Sequence, residues 1–171
     1  MDYEIRKASL RDMPKIEAIY ANARAFMAER GNPSQWGASR PALARLRQDV
    51  AQGNLYVITK EETIHGVFAF ILGDDPTYHV IMGGSWHSER PYGTLHRVAG
   101  DGSGGIFSAA VDYASRQIDY LRVDTHEKNR PMQNAIARAG FRYCGTILTD
   151  DGTPRMAFDR LREQNVSAIN V

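Results

Sequence analysis

Cysteine is nearly missing from this chain. Cys144 is the single one in 171 residues, so no disulfide can close within the chain and no cysteine-rich zinc site can be built. Net charge is nearly missing too: 21 Lys and Arg stand against 20 Asp and Glu, a formal +1. That balance gives no bulk attraction to nucleic acid or an anionic membrane, and neither is expected as a partner. No apolar run approaches the roughly 18 residues of a spanning helix. The opening Met1-Asp2-Tyr3-Glu4 lacks the basic-then-apolar order of a secretory leader. His, Asp and Glu show no metal-ligand spacing such as His-Glu-x-x-His, so no metal is expected. What is left is a cytoplasmic globular domain, expected over residues 1–162, with a polar tail over 163–171.

Residues 2–8 alternate as a short strand. Ser9 and Asp12 offer capping oxygens, and Pro14 sits in a first helical turn. Ile16, Ile19, Tyr20, Ala23 and Met27 then recur at helical spacing until Gly31. A second helix is expected from Pro41 to Gly53, carrying Leu43, Leu46 and Val50 on one face. Leu55–Lys60 and Thr63–Leu72 predict a hairpin around Glu61-Glu62. Tyr78, Val80 and Met82 alternate, which predicts a short strand before a long loop holding Trp86 and Tyr92. Gly93–Ala99 reads as a strand, Ile106–Gln117 as an amphipathic helix and Tyr120–Asp124 as a strand. Asn129 opens a short helix ending at Gly140-Phe141. Tyr143–Leu148 and Arg155–Phe158 flank the turn Asp150-Asp151-Gly152. A hairpin mixed with β-α-β units predicts an α/β fold, a mixed sheet covered by helices on both faces.

The chemistry is concentrated at Gly100-Asp101-Gly102-Ser103-Gly104-Gly105, between a strand and a helix. Such a loop presents bare backbone N–H groups and a helix N-terminus to an anion. Ile106-Phe107 supply neither the Lys nor the Ser or Thr of a nucleoside-triphosphate loop. Gly100, Gly102 and Gly105 satisfy the bare spacing of a dinucleotide fingerprint, with Asp124 at about the expected distance, but the strand comes too late in the chain. A pyrophosphate cradle for coenzyme A and a plain surface loop are the other two possibilities.

Taken with the strand–glycine-loop–helix and the ending Asn129-x-x-Met132…Gly140-Phe141, nearly the whole chain resembles the GNAT superfamily of N-acetyltransferases. The resemblance implies a sheet whose central strands splay, with the pantetheine arm of acetyl-CoA between them. It implies transfer of an acetyl group from acetyl-CoA to a primary amine, on a small molecule or a peptide, by direct attack. A non-catalytic CoA-binding or interaction domain of the same fold is the alternative. The family loop, Gln or Arg, two residues, Gly, one residue, Gly or Ala, fits literally at Arg97-x-x-Gly100-x-Gly102. Registering on the helix instead places Gly102, Ser103, Gly104, Gly105 and Ile106 at the pyrophosphate, and is preferred because the helix N-terminus must meet it. Val98 and Ala99 would line the splayed strand, with a backbone N–H there holding the thioester oxygen, and Asn129 would lie near the pantetheine. Where the family often carries a tyrosine acid, this chain has Ile136; Tyr143, His126 or a water could replace it.

For the proton acceptor, His96 lies on the strand before the loop, where some members similarly carry a histidine, and histidine titrates in the useful range. His126 and Asp124 fall on one face by strand alternation and could form an orienting pair. Trp36, Trp86 and Tyr92 are placed on loops, as residues that could line the acceptor pocket. Cys144 is expected as a small core residue, no base being evident beside it along its strand. A homodimer through the C-terminal hairpin is possible by analogy with the family.

Overall fold

The computed structural model describes residues 2–162; the tail expected over 163–171 lies outside them. In chain order the elements are β1 (Glu4–Lys7), α1 (Met13–Glu29), α2 (Leu43–Ala51), β2 (Leu55–Lys60), β3 (Thr63–Leu72), β4 (Gly93–Gly100), α3 (Ile106–Ser115), β5 (Tyr120–Thr125), α4 (Arg130–Arg138), β6 (Arg142–Leu148) and β7 (Pro154–Leu161). One seven-stranded sheet forms in the order β1-β2-β3-β4-β5-β7-β6. It is antiparallel except where β4 meets β5.

Two layers cover it. Ile106, Phe107, Ala110, Val111 and Ala114 form the buried stripe of α3, and with Ile136 of α4 they pack on Phe68, Leu95, Leu121 and Val123. On the opposite face Ile16, Ile19 and Tyr20 of α1 and Leu46 of α2 pack on Val57, Val67, Ala69 and Ala99. Fully burying side chains of this size stabilises by roughly 1.5–3 kcal/mol each. The period-2 alternation along β4 and β5 thus sends Leu95, Leu121 and Val123 to the α3 layer and leaves His96, Arg122 and Asp124 for the other face.

The segment between β3 and β4 departs from expectation. Instead of a strand through Tyr78, Val80 and Met82 there is a 3-10 turn over Pro76–Tyr78 and a lone bridge from Met82 to Thr146. The Asp75 carboxylate accepts from the Thr77 N–H at 3.0 Å and so closes a local turn, a competitor to extended pairing. Tyr78 then points inward at 1% exposure while Val80 is 70% exposed, so the apparent alternation had no sheet to serve. The second helix also starts two residues later than expected, at Leu43.

Candidate active site

Strands β4 and β5 share only two register pairs, Gly93 with Leu121 and Thr94 with Arg122. Beyond them the strands separate, and a cavity of about 430 Å³ opens in the gap. Its wall draws on both layers. Phe107, Met132 and Ile136 come from the α3 and α4 side, and Trp36, Arg40 and Arg45 from the α1 and α2 side. Between them lie Leu95, His96, Arg97 and Val98 of β4 and Val123, Asp124 and Thr125 of β5.

A bulge shapes β4 at this point. Val67 opposes Ala99 and Ala69 opposes His96, so Phe68 faces two residues, Arg97 and Val98. Arg97 takes the left-handed conformation, φ 53°, which costs on the order of 1 kcal/mol or more for a residue with a Cβ. The surroundings hold it there. The Tyr20 hydroxyl donates to the Arg97 carbonyl at 2.7 Å, and the Arg97 Nε donates to the buried Asp49 carboxylate at 3.0 Å. Because its side chain is engaged with Asp49 of α2, Arg97 does not reach toward the glycine loop as the literal motif register would require.

His96 Nε2 stands 2.8 Å from Asp75 Oδ2. Burial alone would raise the Asp75 carboxyl, but hydrogen bonds from His96 and Thr77 outweigh it and bring the group to about 2. Asp75 is therefore a carboxylate at neutral pH. Against an ionised acceptor the His96 Nε2 carries the hydrogen, which makes Nδ1 the basic nitrogen. The Asp75 backbone N–H is fixed in turn by the Tyr92 hydroxyl at 2.7 Å. Asp124 accepts from the buried Tyr78 hydroxyl at 2.7 Å.

The residues picked out in the sequence separate into two groups. His96, Val98, Asn129 and Trp36 all line the cavity. Asn129 caps α4 by accepting from the Met132 N–H at 3.2 Å and donates to Gln35 Oε1 at 2.9 Å. Gly102, Ser103, Gly104 and Gly105 lie outside the cavity wall and lead directly into Ile106 at the start of α3, with Phe107 the first residue of that run to line it. Ala99 is buried against the α1 layer.

The other residues are not brought together. His126 lies outside the wall; its Nδ1 accepts from the Lys128 N–H at 3.1 Å, and burial followed by Arg155 holds the ring below the ordinary histidine value. The expected Asp124–His126 pair does not form, because β5 ends at Thr125 and Asp124 is turned to Tyr78. Tyr143 sits on the edge strand β6, 51% exposed, its ring against Phe158. Trp86 and Tyr92 are not on the wall either. Both rings lie 4.0 Å from the Arg122 guanidinium, so these aromatics hold the protein's own cation.

Cys144 is buried as expected, yet a base does stand beside it across the fold: His87 Nδ1 is 3.3 Å from Sγ and 2.6 Å from Asp159 Oδ1. Burial, reinforced by Asp159, pushes the thiol up to about 12, so it stays protonated, and the cluster is away from the cavity wall. Asp75, Gln35, Arg155 and the bulge at Arg97 escaped sequence reasoning. The one available signal was Asp75-Pro76, an aspartate before proline that begins a turn.

The glycine loop keeps its backbone accessible. Gly102, Gly104 and Gly105 have φ of 94°, 80° and 72°, and no atom lies within 4 Å of where a Cβ would stand at Gly102 or Gly104. Asp101 ties the loop together, accepting from the Ser103 N–H at 3.0 Å and sitting 2.8 Å from His65 Nδ1.

Neither protein-family models nor curated proteins gave a match to this chain. Solved structures do match. A GNAT-family acetyltransferase from Streptococcus agalactiae is 27% identical, with 95% of this chain and 96% of that one covered and a TM-score of 0.83. One from Listeria monocytogenes is 17% identical over 93% and 94%, with a TM-score of 0.68. A Salmonella typhimurium protein solved with its cofactor acetyl-CoA is 14% identical over 99% of both chains, with a TM-score of 0.59; at such identities the likeness is one of fold. With a splayed β4/β5 pair, a glycine loop opening α3 and an asparagine-capped α4 in the same frame, the chain belongs to the GNAT superfamily of N-acetyltransferases.

Proposed function

We propose that this protein transfers an acetyl group from acetyl-CoA to the primary amine of an acceptor, with His96 taking the amine's proton. The observation that carries this is the gap between β4 and β5. It joins the α3 and α4 layer, where the glycine loop lies, to the face bearing His96 and Asp75. Two reactants can thus approach from opposite sides of one sheet and meet in the gap.

The residues present suit coenzyme A. The left-handed glycines leave N–H groups and the α3 N-terminus open to a pyrophosphate. The Thr125 hydroxyl is buried in the cavity wall without a partner among the described residues, a place for a polar group of the pantetheine arm. Acetyl-CoA supplies an activated thioester acetyl group when bound. The bulge withdraws Arg97 and Val98 from regular pairing with β3, and a backbone N–H there would be aimed at the carbonyl oxygen as charge develops on it.

Asp75 holds His96 in the tautomer whose Nδ1 is basic, and it stabilises the imidazolium after proton uptake. Among the described residues the cavity wall contains no tyrosine and no cysteine. Ile136 occupies the position where the family often carries a tyrosine acid, so water is the proposed proton donor to the departing thiolate. The missing tyrosine, together with the loop's departure from the family pattern, also favours a non-catalytic CoA-binding domain.

Incubation with acetyl-CoA and an amine library, read by product mass spectrometry, tests the function. Acetylated product with release of free CoA is expected. A melting point raised by acetyl-CoA without any product would establish the non-catalytic alternative, and a rise with NAD alone would overturn both.

A further inference from the structure

Arg155 is 7% exposed and lines the cavity, yet it forms no ion pair among the described residues. Its guanidinium donates to uncharged oxygens alone: Thr153 Oγ1 at 3.1 Å, the Pro154 carbonyl at 2.8 Å and the Gln35 carbonyl at 3.2 Å. A buried charge without a counter-charge is costly, and the cost is relieved when an anion arrives. Asp124 and Asp151 act on it only from a distance; burial dominates and holds the group below the usual arginine value.

Three further arginines line the same cavity, of which Arg97 is paired with the buried Asp49. Arg45 is exposed and has no side-chain partner among the described residues, while Arg40 keeps one nitrogen on Asp151 at 2.7 Å. Both come from the segment around the start of α2, on the layer opposite the glycine loop, so they are not placed to serve the cofactor's pyrophosphate. Asp124 of β5 and Asp75, in the turn after β3, line that same cavity, and Asp150, also on the wall, is exposed to solvent. The wall therefore carries both signs: Asp75 beside His96, Asp124 on β5, Asp150 in the β6–β7 turn, and guanidinium groups toward α2 and β7.

We infer that the acceptor is an amine that also bears an oxyanion, a carboxylate or a phosphate, seated on Arg155 with Arg40 and Arg45 around it. This rests on the acetyl-transfer function proposed above. Arginine's planar fork fits either oxyanion with two parallel hydrogen bonds.

The test uses the full chain, acetyl-CoA and amines matched except for the anion: free L-amino acids against their α-carboxamides, and phosphoethanolamine against ethanolamine. The expected result is a kcat/KM preference for the anionic member of one pair, on the order of tenfold to a hundredfold; whichever pair shows it identifies the oxyanion. Arg155→Met should collapse that ratio, mainly through KM, while Arg155→Lys retains part of it. Arg45→Met should lower it less. If Arg155→Met does not fold, the Arg155→Lys and Arg45→Met ratios decide.

Thermal shift by N-acetyl amino acids and N-acetyl phosphoethanolamine provides a readout that needs no turnover. A shift lost in Arg155→Met and reduced in Arg155→Lys supports the anion seat even where no amine is acetylated, a result that would sink only the catalytic function. A native preference for the uncharged amines, or a ratio unchanged in every variant, overturns the inference.

Discussion

At the scale of single residues, the arrangement turns on His96 and the carboxylate that holds it. His96→Gln should lower turnover by about a hundredfold or more, the usual scale for loss of a general base, and shift the acidic limb of the pH–rate profile. Acetyl-CoA affinity by calorimetry should stay near the native value, since the backbone of the glycine loop and β4 is proposed to hold it. His126→Gln is the matched comparison; activity lost there and kept in His96→Gln would move the base to His126. Asp75 gives a separate readout in stability. Its carboxyl lies at about 2 in the folded protein against about 3.9 in an unfolded chain. A depressed carboxyl stabilises the fold above the unfolded value, and the contribution disappears as pH falls through the folded one. The difference corresponds to about 2 kcal/mol. Urea unfolding at pH 7 should show Asp75→Asn weaker by that order, and the two proteins should converge as pH drops from 4 toward 2. A gap that persists at pH 2 would mean that Asp75 contributes through packing instead.

At the scale of elements, the bulge in β4 and the glycine loop are the two parts whose backbone does the positioning. Tyr20 holds the bulge through its hydroxyl on the Arg97 carbonyl, at 2.7 Å. Tyr20→Phe keeps the ring and should cost only about 1 kcal/mol of stability, yet lower kcat by more than that loss implies if the bulge aims the oxyanion donor. Equal effects on kcat and on unfolding would leave the bulge a purely structural feature. Gly105 starts α3 at φ 72°, with Tyr3 Cε2 3.6 Å from where a Cβ would stand. Gly105→Val should destabilise by about 1 kcal/mol or more through backbone strain and weaken acetyl-CoA binding; unaltered affinity in a folded variant would remove the loop from the site. The glycine loop was legible in sequence because glycine between a strand and a helix has a local meaning. The same holds for α3, whose Ile106, Phe107, Ala110, Val111 and Ala114 announce one buried face, and for the hairpins. The site was half legible. His96 and Asn129 sit on regular elements whose ends the pattern marks. Asp75 reaches His96 from 21 residues away and Arg155 touches Gln35 from 120 away, and no local periodicity encodes such meetings. The aromatics misled for a related reason: Trp86 and Tyr92 carry loop signals, but Arg122 from β5 fills the space between them.

At the scale of the whole molecule, ligand binding and folding are linked by mass action. Acetyl-CoA at about a hundred times its dissociation constant should stabilise the native state by roughly 2.7 kcal/mol. For a chain of this length that corresponds to a rise in melting temperature of about 5–10 °C. CoA should produce a similar shift, and the absence of any shift with either would refute the cofactor assignment. The junction of β4 and β5 has a mechanical consequence as well. Among the described residues, two register pairs are all that join the β1–β4 half of the sheet to the β5–β7 half by strand pairing. Such a seam leaves two blocks of sheet, joined otherwise through the α3 core, that can open locally against each other below the energy of global unfolding. Amides flanking the seam should therefore exchange with deuterium sooner than those within β2–β3 or β5–β7. A cofactor laid along the gap would act as a stitch between the blocks and slow that exchange, coupling the rigidity of the two halves to occupancy of the site.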